Sequence, residues 1–343
     1  MSGLAKARAE IDFDPARLRA FLATALPDVA GELEIARIGG GQSNPTYFVT
    51  QGTRRMVLRK RPNGDLPKSA HDVGREYRII SALIGSPVPV PPPILFHEAP
   101  DVVGTPFYLM ERVDGRVFMD QSLPDVPAGE RRAYFRAFAQ GLATLHAFDW
   151  RSTDLAALAR PGRYLERQVD RWSRAWSEPG TAVTRVVSWL RAHLPADEAV
   201  TIVHGDYKFT NMIFDPAAPR IAALLDWELC AIGDPLADLA HSWMGIWATT
   251  PDEYGGLLGL DLPALGIPTA DEFLADYYAA SNSDRRLTAF HKVLALLRNA
   301  GIFHGIGQRA AAGTANAADA GDIGGLDRVF IDRALEFVAD EGG

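Results

Sequence analysis

Cysteine is almost absent from this chain, since Cys230 is the one cysteine among 343 residues. A single thiol cannot form an intrachain disulfide or a cysteine-based metal cluster, and this usage fits a reducing cytoplasm. Long apolar runs are missing as well, because none approaches the roughly 20 residues that span a bilayer. The first residues also lack the apolar segment of a signal peptide. We therefore expect a cytoplasmic protein with no membrane partner.

An excess of positive charge is missing too. Lys and Arg number 35 against 43 Asp and Glu, which gives a formal net charge of −8. Because nucleic-acid phosphates select for excess Lys and Arg, we expect no nucleic-acid partner. Apolar content of 47% and charged content of 23% are typical of a globular protein. A length of 343 residues exceeds one ordinary core and favours two lobes.

The first third of the sequence is rich in strand patterns. A short amphipathic helix with Asp14 as its N-cap comes first, and five apolar, strand-like runs follow. One longer helix with apolar residues at helical spacing is inserted after the third run. The expected helices cover residues 14–26 and 70–83, and the expected strands cover residues 32–38, 45–50, 55–60, 94–98 and 106–113.

The rest of the chain is mainly helical. Phe135, Phe138, Leu142 and Leu145 form one apolar helical stripe, and short strands are expected only around residues 201–226. The sequence therefore predicts an α+β fold of two lobes. We expect a β-rich N-lobe over residues 1–112 and a mainly helical C-lobe over residues 113–343. Further helices are expected at residues 161–177, 181–193, 235–247, 270–281, 284–300 and 325–339.

Two short segments carry the chemistry. HGDYKFTN places Asp206, Lys208 and Asn211 in one loop, and LLDWE ends an apolar run at Asp226. Phosphoryl transfer from a magnesium nucleotide needs such a set: a carboxylate that orients a hydroxyl, a cation beside the moving group, and hard oxygen ligands for the metal. We assign Asp206 and Lys208 to catalysis and Asn211 and Asp226 to Mg²⁺. We expect His204 to hold the loop rigid rather than to act as a base.

Three of these residues also have a plain structural alternative. Asp206 could simply form a turn, Lys208 could be a solvated loop lysine, and Asp226 could cap the helix that follows it. The spacing of the whole set favours the catalytic interpretation over these alternatives.

The order of the segments resembles the aminoglycoside phosphotransferase family, which shares the two-lobed protein-kinase fold. The matching segments are GGGQSN, VLRK, the helix with Glu76, MERVDG, HGD with its asparagine, LLDWE and GDPLADLA. The resemblance implies ATP, or GTP, with Mg²⁺ as cofactors. It implies that Arg59 or Lys60 grips phosphate, that alignment favours Arg59, and that Glu76 is its partner. The remaining implied nucleotide contacts are Gly40, Gly41, Ser43 and Asn44 in the glycine-rich turn, and the backbone of Glu111 and Val113 in the hinge.

The acceptor is expected to be a small molecule with a hydroxyl group. The segments GGGQSNPTYFV, VLRKRP and HGDYKFTNMIF resemble the branch of kinase domains attached to acyl-CoA dehydrogenases, which implies a hydroxyacyl-CoA type compound. An aminoglycoside is the alternative acceptor, and a catalytically silent pseudokinase is the alternative class. A protein kinase is disfavoured because no APE segment follows DWE. The sequence leaves the oligomeric state open.

Overall fold

The computed structural model describes residues 11–39, 44–64, 71–311 and 325–340. The chain divides into two compact units. We call the first the sheet unit; it contains residues 1–116, 213–218 and 222–228. We call the second the helical unit; it contains residues 117–212, 219–221 and 229–343. The sequence predicts a single domain boundary after residue 112, whereas in the structure residues 213–218 and 222–228 also belong to the sheet unit.

The sheet unit is built on a five-stranded antiparallel sheet with the strand order β1-β2-β3-β5-β4. The expected five strands and the helix after the third strand are confirmed, with ends shifted by a few residues. The strands are β1 Leu33–Arg37, β2 Thr46–Gln51, β3 Arg54–Lys60, β4 Pro93–His97 and β5 Phe107–Glu111, and the helices are α1 Pro15–Ala25 and α2 Val73–Leu83.

Local chemistry explains the starts of both helices. Asp14 accepts a hydrogen bond from the Ala16 N–H at 2.9 Å, and Pro15 occupies the first helical turn, where no N–H is needed. Asp72 caps α2 in the same way through the Arg75 N–H at 2.9 Å. Leu18 and Leu22 of α1 are fully buried against one face of the sheet, which forms the core of this unit. The N-terminal helix therefore contributes to the core.

Two later segments are tied to the sheet unit by backbone hydrogen bonds. Arg116 and Phe214 exchange two N–H to C=O bonds of 2.8 Å, and the Leu224 N–H donates to the Pro89 carbonyl at 2.9 Å. These bonds attach β7 Met212–Phe214 and β8 Ile221–Leu224, which pair with each other. The proline-dense segment around Pro89 thus provides an acceptor for a strand end far along the chain.

The helical unit packs around aromatic side chains. Phe135 and Phe138 are fully buried, which confirms the expected apolar stripe. Phe138 contacts Tyr207 and Phe209, with ring centroids 4.7 and 4.8 Å apart, and so fixes the loop after β6 to the core. The elements are α3 Ala128–His146, α4 Tyr164–Ser173, α5 Thr181–Ala192, β6 Thr201–Val203, β9 Ala231–Gly233, α6 Pro235–Trp247, α7 Pro251–Tyr254, α8 Leu262–Leu265, α9 Ala270–Ser281, α10 Ala289–Ala311 and α11 Leu326–Asp340.

Several elements were not expected from the sequence. Strand β9 pairs antiparallel with β6, and α7 and α8 are single turns between longer helices. Three- and four-residue elements carry too little periodicity to be recognised from side-chain pattern. Within the described ranges, none of the helices combines the length and the apolar character that crossing a bilayer requires.

Two glycines offer a matched test of packing in the helical unit. Gly255 and Gly266 end α7 and α8 with the same φ of +69°. A Cβ on Gly266 would overlap the Ala128 carbonyl, whereas a Cβ on Gly255 meets nothing within 4 Å. Both Ala variants lose about 1 kcal/mol from the left-handed conformation. Gly266→Ala should lose a further ~1–3 kcal/mol in urea unfolding because of the overlap. Equal losses in the two variants would contradict this.

Candidate active site

Arg59 is the centre of a charged cluster in the sheet unit. Its Nε lies 2.8 Å from Glu76 Oε2, and its Nη2 donates to Asp226 Oδ1 at 2.7 Å. Burial lowers the pKa of Arg59, but Glu76, followed by Tyr108 and Asp226, raises it by more, so the net pKa is raised and the guanidinium stays charged. The arginine and glutamate that the family resemblance pairs are thus in contact. We call Arg59, Glu76 and Asp226 the arginine cluster.

Lys60 has a different position. Alternation along β3 puts it on the sheet face opposite Arg59. It is fully buried, and its Nζ lies 3.1 Å from both carboxylate oxygens of Asp12 and 3.2 Å from Asn63 Oδ1. Its charge is therefore matched by Asp12. Of the two candidates in VLRK, Arg59 is the one beside Glu76.

Glu76 is a buried member of the cluster rather than a surface helix charge. It is 1% exposed and accepts hydrogen bonds from Asn44 Nδ2 at 2.5 Å and from the Tyr108 hydroxyl at 3.2 Å. Burial raises the pKa of Glu76, and Arg59 and Asn44 oppose that rise. The Asn44 side chain therefore supports Glu76, while the other expected glycine-turn contacts, Gly40, Gly41 and Ser43, lie outside the described residues.

Asp226 occupies the end of β8 in an unusual backbone conformation. Its φ is +64°, a left-handed value that Asp tolerates better than most residues. Arg59 contacts one of its oxygens, and its side chain is 29% exposed. The next turn is anchored by Arg75, which donates to the Glu228 carbonyl at 3.0 Å. The chain thus turns sharply at the carboxylate, which places Asp226 in the sheet unit beside Arg59.

Glu111 and Val113 follow the last strand of the sheet unit. The Glu111 N–H donates to the Pro92 carbonyl at 2.8 Å, and its carboxylate pairs with Arg54 at 2.7 Å. The contact of Glu111 and Val113 with adenine stays a prediction.

The helical unit carries the aspartate loop, which we define as residues 204–211. Gly205 begins it with φ +83°, and a Cβ there would lie 2.5 Å from the Leu229 carbonyl oxygen, so only glycine fits. The Gly205 carbonyl accepts from Arg298. The Asp206 N–H donates to His204 Nδ1 at 3.2 Å, and His204 is fully buried. His204 thus makes the hydrogen bond to the loop backbone that the sequence predicts for it.

Asp206 is surrounded by donors. Lys208 Nζ lies 2.9 Å from Oδ2, Asn211 Nδ2 donates to the same oxygen at 2.9 Å, and His241 Nε2 lies 3.4 Å from Oδ1. Burial raises the pKa of Asp206, but the His241 hydrogen bond and the Lys208 charge outweigh it and hold the pKa well below its usual range. Asp206 is therefore an ionised, oriented acceptor at neutral pH.

Helix α6 supports the loop through its first turn. Asp238 accepts the His204 N–H at 2.7 Å and the Gly205 N–H at 2.9 Å, and lies 3.3 Å from His146 Nε2. Asp234 caps the same helix through the Leu236 N–H at 2.8 Å. Both aspartates thus have structural roles, and Asp238 braces the aspartate loop.

His241 is the functional residue that sequence reasoning missed. It is 6% exposed, contacts Asp206 and lines an open cavity of about 200 Å³ in the helical unit, together with Lys208. Its signal in the sequence is its position three residues after Asp238 in an otherwise apolar helix, which puts both on one helical face.

The predicted metal ligands lie in different units, Asn211 in the helical unit and Asp226 in the sheet unit. Asn211 turns its amide nitrogen to Asp206, which leaves the carboxamide oxygen as the candidate ligand. Within the described ranges, no group of three or more His, Cys, Asp or Glu residues could hold a metal. An amide oxygen and a carboxylate fit Mg²⁺, which takes few protein ligands and completes its shell with phosphate oxygens and water.

Comparisons with known proteins agree with this architecture. Residues 34–273 match the phosphotransferase enzyme family. The chain is 36% identical over 320 residues to acyl-CoA dehydrogenase family member 10 of Mus musculus, covering 91% of this chain and 30% of that protein. It is 35% identical over 347 residues to acyl-CoA dehydrogenase family member 11 of Gallus gallus, covering 97% and 44%. The chain spans less than half the length of these curated relatives.

Solved structures show the same fold. A Ralstonia eutropha protein assigned provisionally to the aminoglycoside phosphotransferases is 34% identical, with a TM-score of 0.86 over 96% of this chain and 99% of that one. The GDP complex of aminoglycoside 2'-phosphotransferase-IIIa is 16% identical, with a TM-score of 0.61 over 96% and 99%. A ternary complex of APH(4)-Ia with AMP-PNP and hygromycin B is 17% identical, with a TM-score of 0.59 over 92% and 98%.

The antiparallel sheet unit and the helical unit are the N-lobe and C-lobe of a kinase-like α+β fold. The chain belongs to the phosphotransferase enzyme family. It is a small-molecule kinase, a phosphotransferase with an alcohol group as acceptor.

The Asp238 brace makes stability depend on pH. Burial raises the pKa of Asp238, but the hydrogen bond and charge of His146 lower it further, to about 2. The folded pKa is below the unfolded value, so the stabilisation is complete above about pH 4 and is lost as pH falls towards 2. The contribution is on the order of 2 kcal/mol. In urea unfolding, the stability gap between wild type and Asp238→Asn should therefore shrink from pH 6 to pH 3. The exposed control Asp252→Asn should show no such gap, and a gap independent of pH would contradict the assignment.

The His241 contact can be tested with a shape-matched pair. Because an ionised carboxylate only accepts, Nε2 of His241 carries the proton. His241→Gln keeps a nitrogen donor near that position, and His241→Leu removes it. We expect His241→Leu to lower kcat for phosphoryl transfer by about 10–100-fold, as for a lost bond to a charged group, without changing nucleotide Kd. His241→Gln should recover most of the rate. Equal losses in the two variants would mean that His241 only fills space.

Proposed function

We propose that this phosphotransferase transfers the γ-phosphoryl group of ATP to a hydroxyl of a small metabolite of the hydroxyacyl-CoA type. GTP is the alternative donor, since a GDP complex exists for one structural neighbour and an AMP-PNP complex for another. The observation that carries the proposal is Asp206, an ionised carboxylate oriented by Lys208, Asn211 and His241. Such a group orients an incoming hydroxyl for in-line attack.

The arginine cluster supports the nucleotide part of the proposal. Arg59 is a charged fork with one edge on Glu76 and another nitrogen on Asp226. A guanidinium held in this way presents a fixed positive charge to phosphate oxygens. Gly40, Gly41 and Ser43 remain proposed contacts of the phosphate-covering turn, and Asn44 helps to position Glu76.

Asn211 and Asp226 are the residues that would hold Mg²⁺. When bound, the ion would offset charge on the phosphate oxygens. Lys208 would add a second positive charge beside Asp206, where the phosphoryl group leaves the nucleotide. Asp206 would accept a hydrogen bond from the acceptor hydroxyl and take its proton as the new P–O bond forms and the bond to the nucleotide breaks.

The acceptor assignment is supported by the curated relatives. Two of them are acyl-CoA dehydrogenase family members, and this chain matches only part of each. A kinase domain joined to an acyl-CoA dehydrogenase indicates a substrate that both domains can use, which favours a hydroxyacyl-CoA. An aminoglycoside is the second candidate, because a structural neighbour holds hygromycin B. The single cysteine, which is buried, supports a cytoplasmic setting.

The role of Asp206 is tested with an isosteric variant. Asp206→Asn should leave the Kd for Mg-ATP within about twofold and lower kcat on the order of 10²–10⁴-fold, because the oriented anion is lost. Calorimetry gives the affinity, and a coupled assay with 3-hydroxybutyryl-CoA as acceptor gives the rate. The exposed control Asp252→Asn should behave as wild type. Wild-type turnover by Asp206→Asn would overturn the mechanism, and turnover with hygromycin B but not with the thioester would favour the second candidate.

A further inference from the structure

The cavity in the helical unit lies beside the proposed catalytic carboxylate. Its volume is about 200 Å³, and it is open to solvent. Lys208 and His241, which both line it, are also in contact with Asp206. A molecule in this cavity therefore lies next to the side chains that orient Asp206. The volume is below the roughly 300–1,000 Å³ of drug-sized sites, so it suits one end of a substrate rather than a whole large one.

The cavity wall offers no negatively charged side chain to a cation. Among the described residues that line it, none is Asp or Glu, and Lys208 is the basic side chain. Burial, and then the charge of Arg298, lower the pKa of His241, so its ring is neutral at pH 7. Met119, Ile246 and Tyr254 give an apolar and aromatic lining. An ammonium group placed there would lose water without gaining a counter-charge.

The carboxylates adjacent to the wall in sequence have ion-pair or hydrogen-bond partners. Asp206 pairs with Lys208 at 2.9 Å, Glu253 pairs with Arg333 at 3.1 Å, and Asp120 accepts the Ser122 N–H at 2.8 Å. The amide of Gln121 donates to the carbonyls of Gly245 and Gly255 at 3.0 and 2.8 Å. The Gln121 amide thus holds parts of the wall together, and the surface left for a ligand is mostly apolar.

Building on the proposed function, we propose that this cavity receives the hydroxyl-bearing end of the acceptor and selects for an end that is uncharged and compact. The acceptor class is then a hydroxyalkyl or hydroxyacyl group without an amine near the hydroxyl. An amino sugar, which places ammonium groups around each hydroxyl, does not match this wall.

Gly245 sets the depth of the cavity. It lies inside α6, where glycine costs roughly 0.5–1 kcal/mol relative to alanine. A Cβ at this position would meet Tyr254 at 3.8 Å, an ordinary contact, so alanine fits. A longer side chain would extend towards Tyr254 and fill the cavity that both residues line. Gly245 therefore limits the size of the acceptor end.

An isosteric pair of alcohols tests the selection for charge. Choline and 3,3-dimethyl-1-butanol have the same shape and differ by one positive charge. We expect ligand-observed NMR titration of the full chain to give a Kd for the neutral alcohol at least about 10-fold lower, because an unpaired cation loses its hydration. Equal or tighter binding of choline, as in a cation–π site, would overturn the inference.

Variants at Gly245 test the location. Gly245→Leu should weaken binding of 3,3-dimethyl-1-butanol at least about 10-fold, as expected when a side chain takes the ligand's volume. Gly245→Ala should stay within about threefold, and melting temperatures check that both variants fold. If a folded Gly245→Leu variant bound the alcohol as tightly as wild type, the proposed location of the binding site would be wrong. The comparison of the two alcohols uses the wild-type chain and does not depend on this variant.

Turnover separates this inference from the proposed function. ATP hydrolysis by the wild-type chain, alone and with 3-hydroxybutyryl-CoA, is measured in parallel with binding. Absence of any nucleotide turnover would overturn the proposed function. The two binding comparisons would still test whether the cavity prefers an uncharged ligand and whether that ligand binds beside Gly245.

Discussion

One face of helix α6 organises the helical unit around the proposed reaction. His241, Ser242 and Gly245 lie three, four and seven residues after Asp238 and therefore share that face. Asp238 holds the backbone of the aspartate loop, His241 contacts the Asp206 carboxylate, and Ser242 donates to the Tyr207 carbonyl at 2.8 Å. Gly245 lines the cavity. Loop position, carboxylate orientation and cavity depth thus all depend on the register of a single helix.

The sheet unit holds two carboxylates, those of Glu76 and Asp226, close together in a partly buried environment. Glu76 is almost fully buried, and Asp226 is partly exposed. Because both carboxylates contact the same arginine, they lie close enough for their negative charges to repel each other. Arg59 offers separate nitrogen atoms to the two groups, which a lysine ammonium does with less directional control. Arg59, which stands where kinases usually have a strand lysine, therefore suits a position between two carboxylates. Lys60 pairs with Asp12 on the other face of the sheet.

Much of this arrangement follows from local patterns. The five strands, the inserted helix and the long helices were predicted because periodicity and capping act over neighbouring residues, as at Asp14. The contact between Asp206 and Lys208 follows from their closeness in the loop. The contacts of Asp226 with Arg59, 167 residues away, and of Asp12 with Lys60 depend on tertiary packing that no local pattern encodes. His241 was missed because a histidine in an apolar helix shows its partner only once the loop is folded beside it.

Because residues 213–218 and 222–228 belong to the sheet unit, this unit cannot be complete early in synthesis of the chain. A growing chain that has emerged only to Arg116 contains all five strands of the sheet but lacks Asp226. Its Arg59 then has Glu76 as partner without the second carboxylate, and Arg116 lacks the Phe214 backbone groups that pair with it. The N-lobe reaches its final set of contacts only after synthesis has passed residue 228. Completion of the arginine cluster therefore requires synthesis to reach Asp226, which comes after the aspartate loop at residues 204–211.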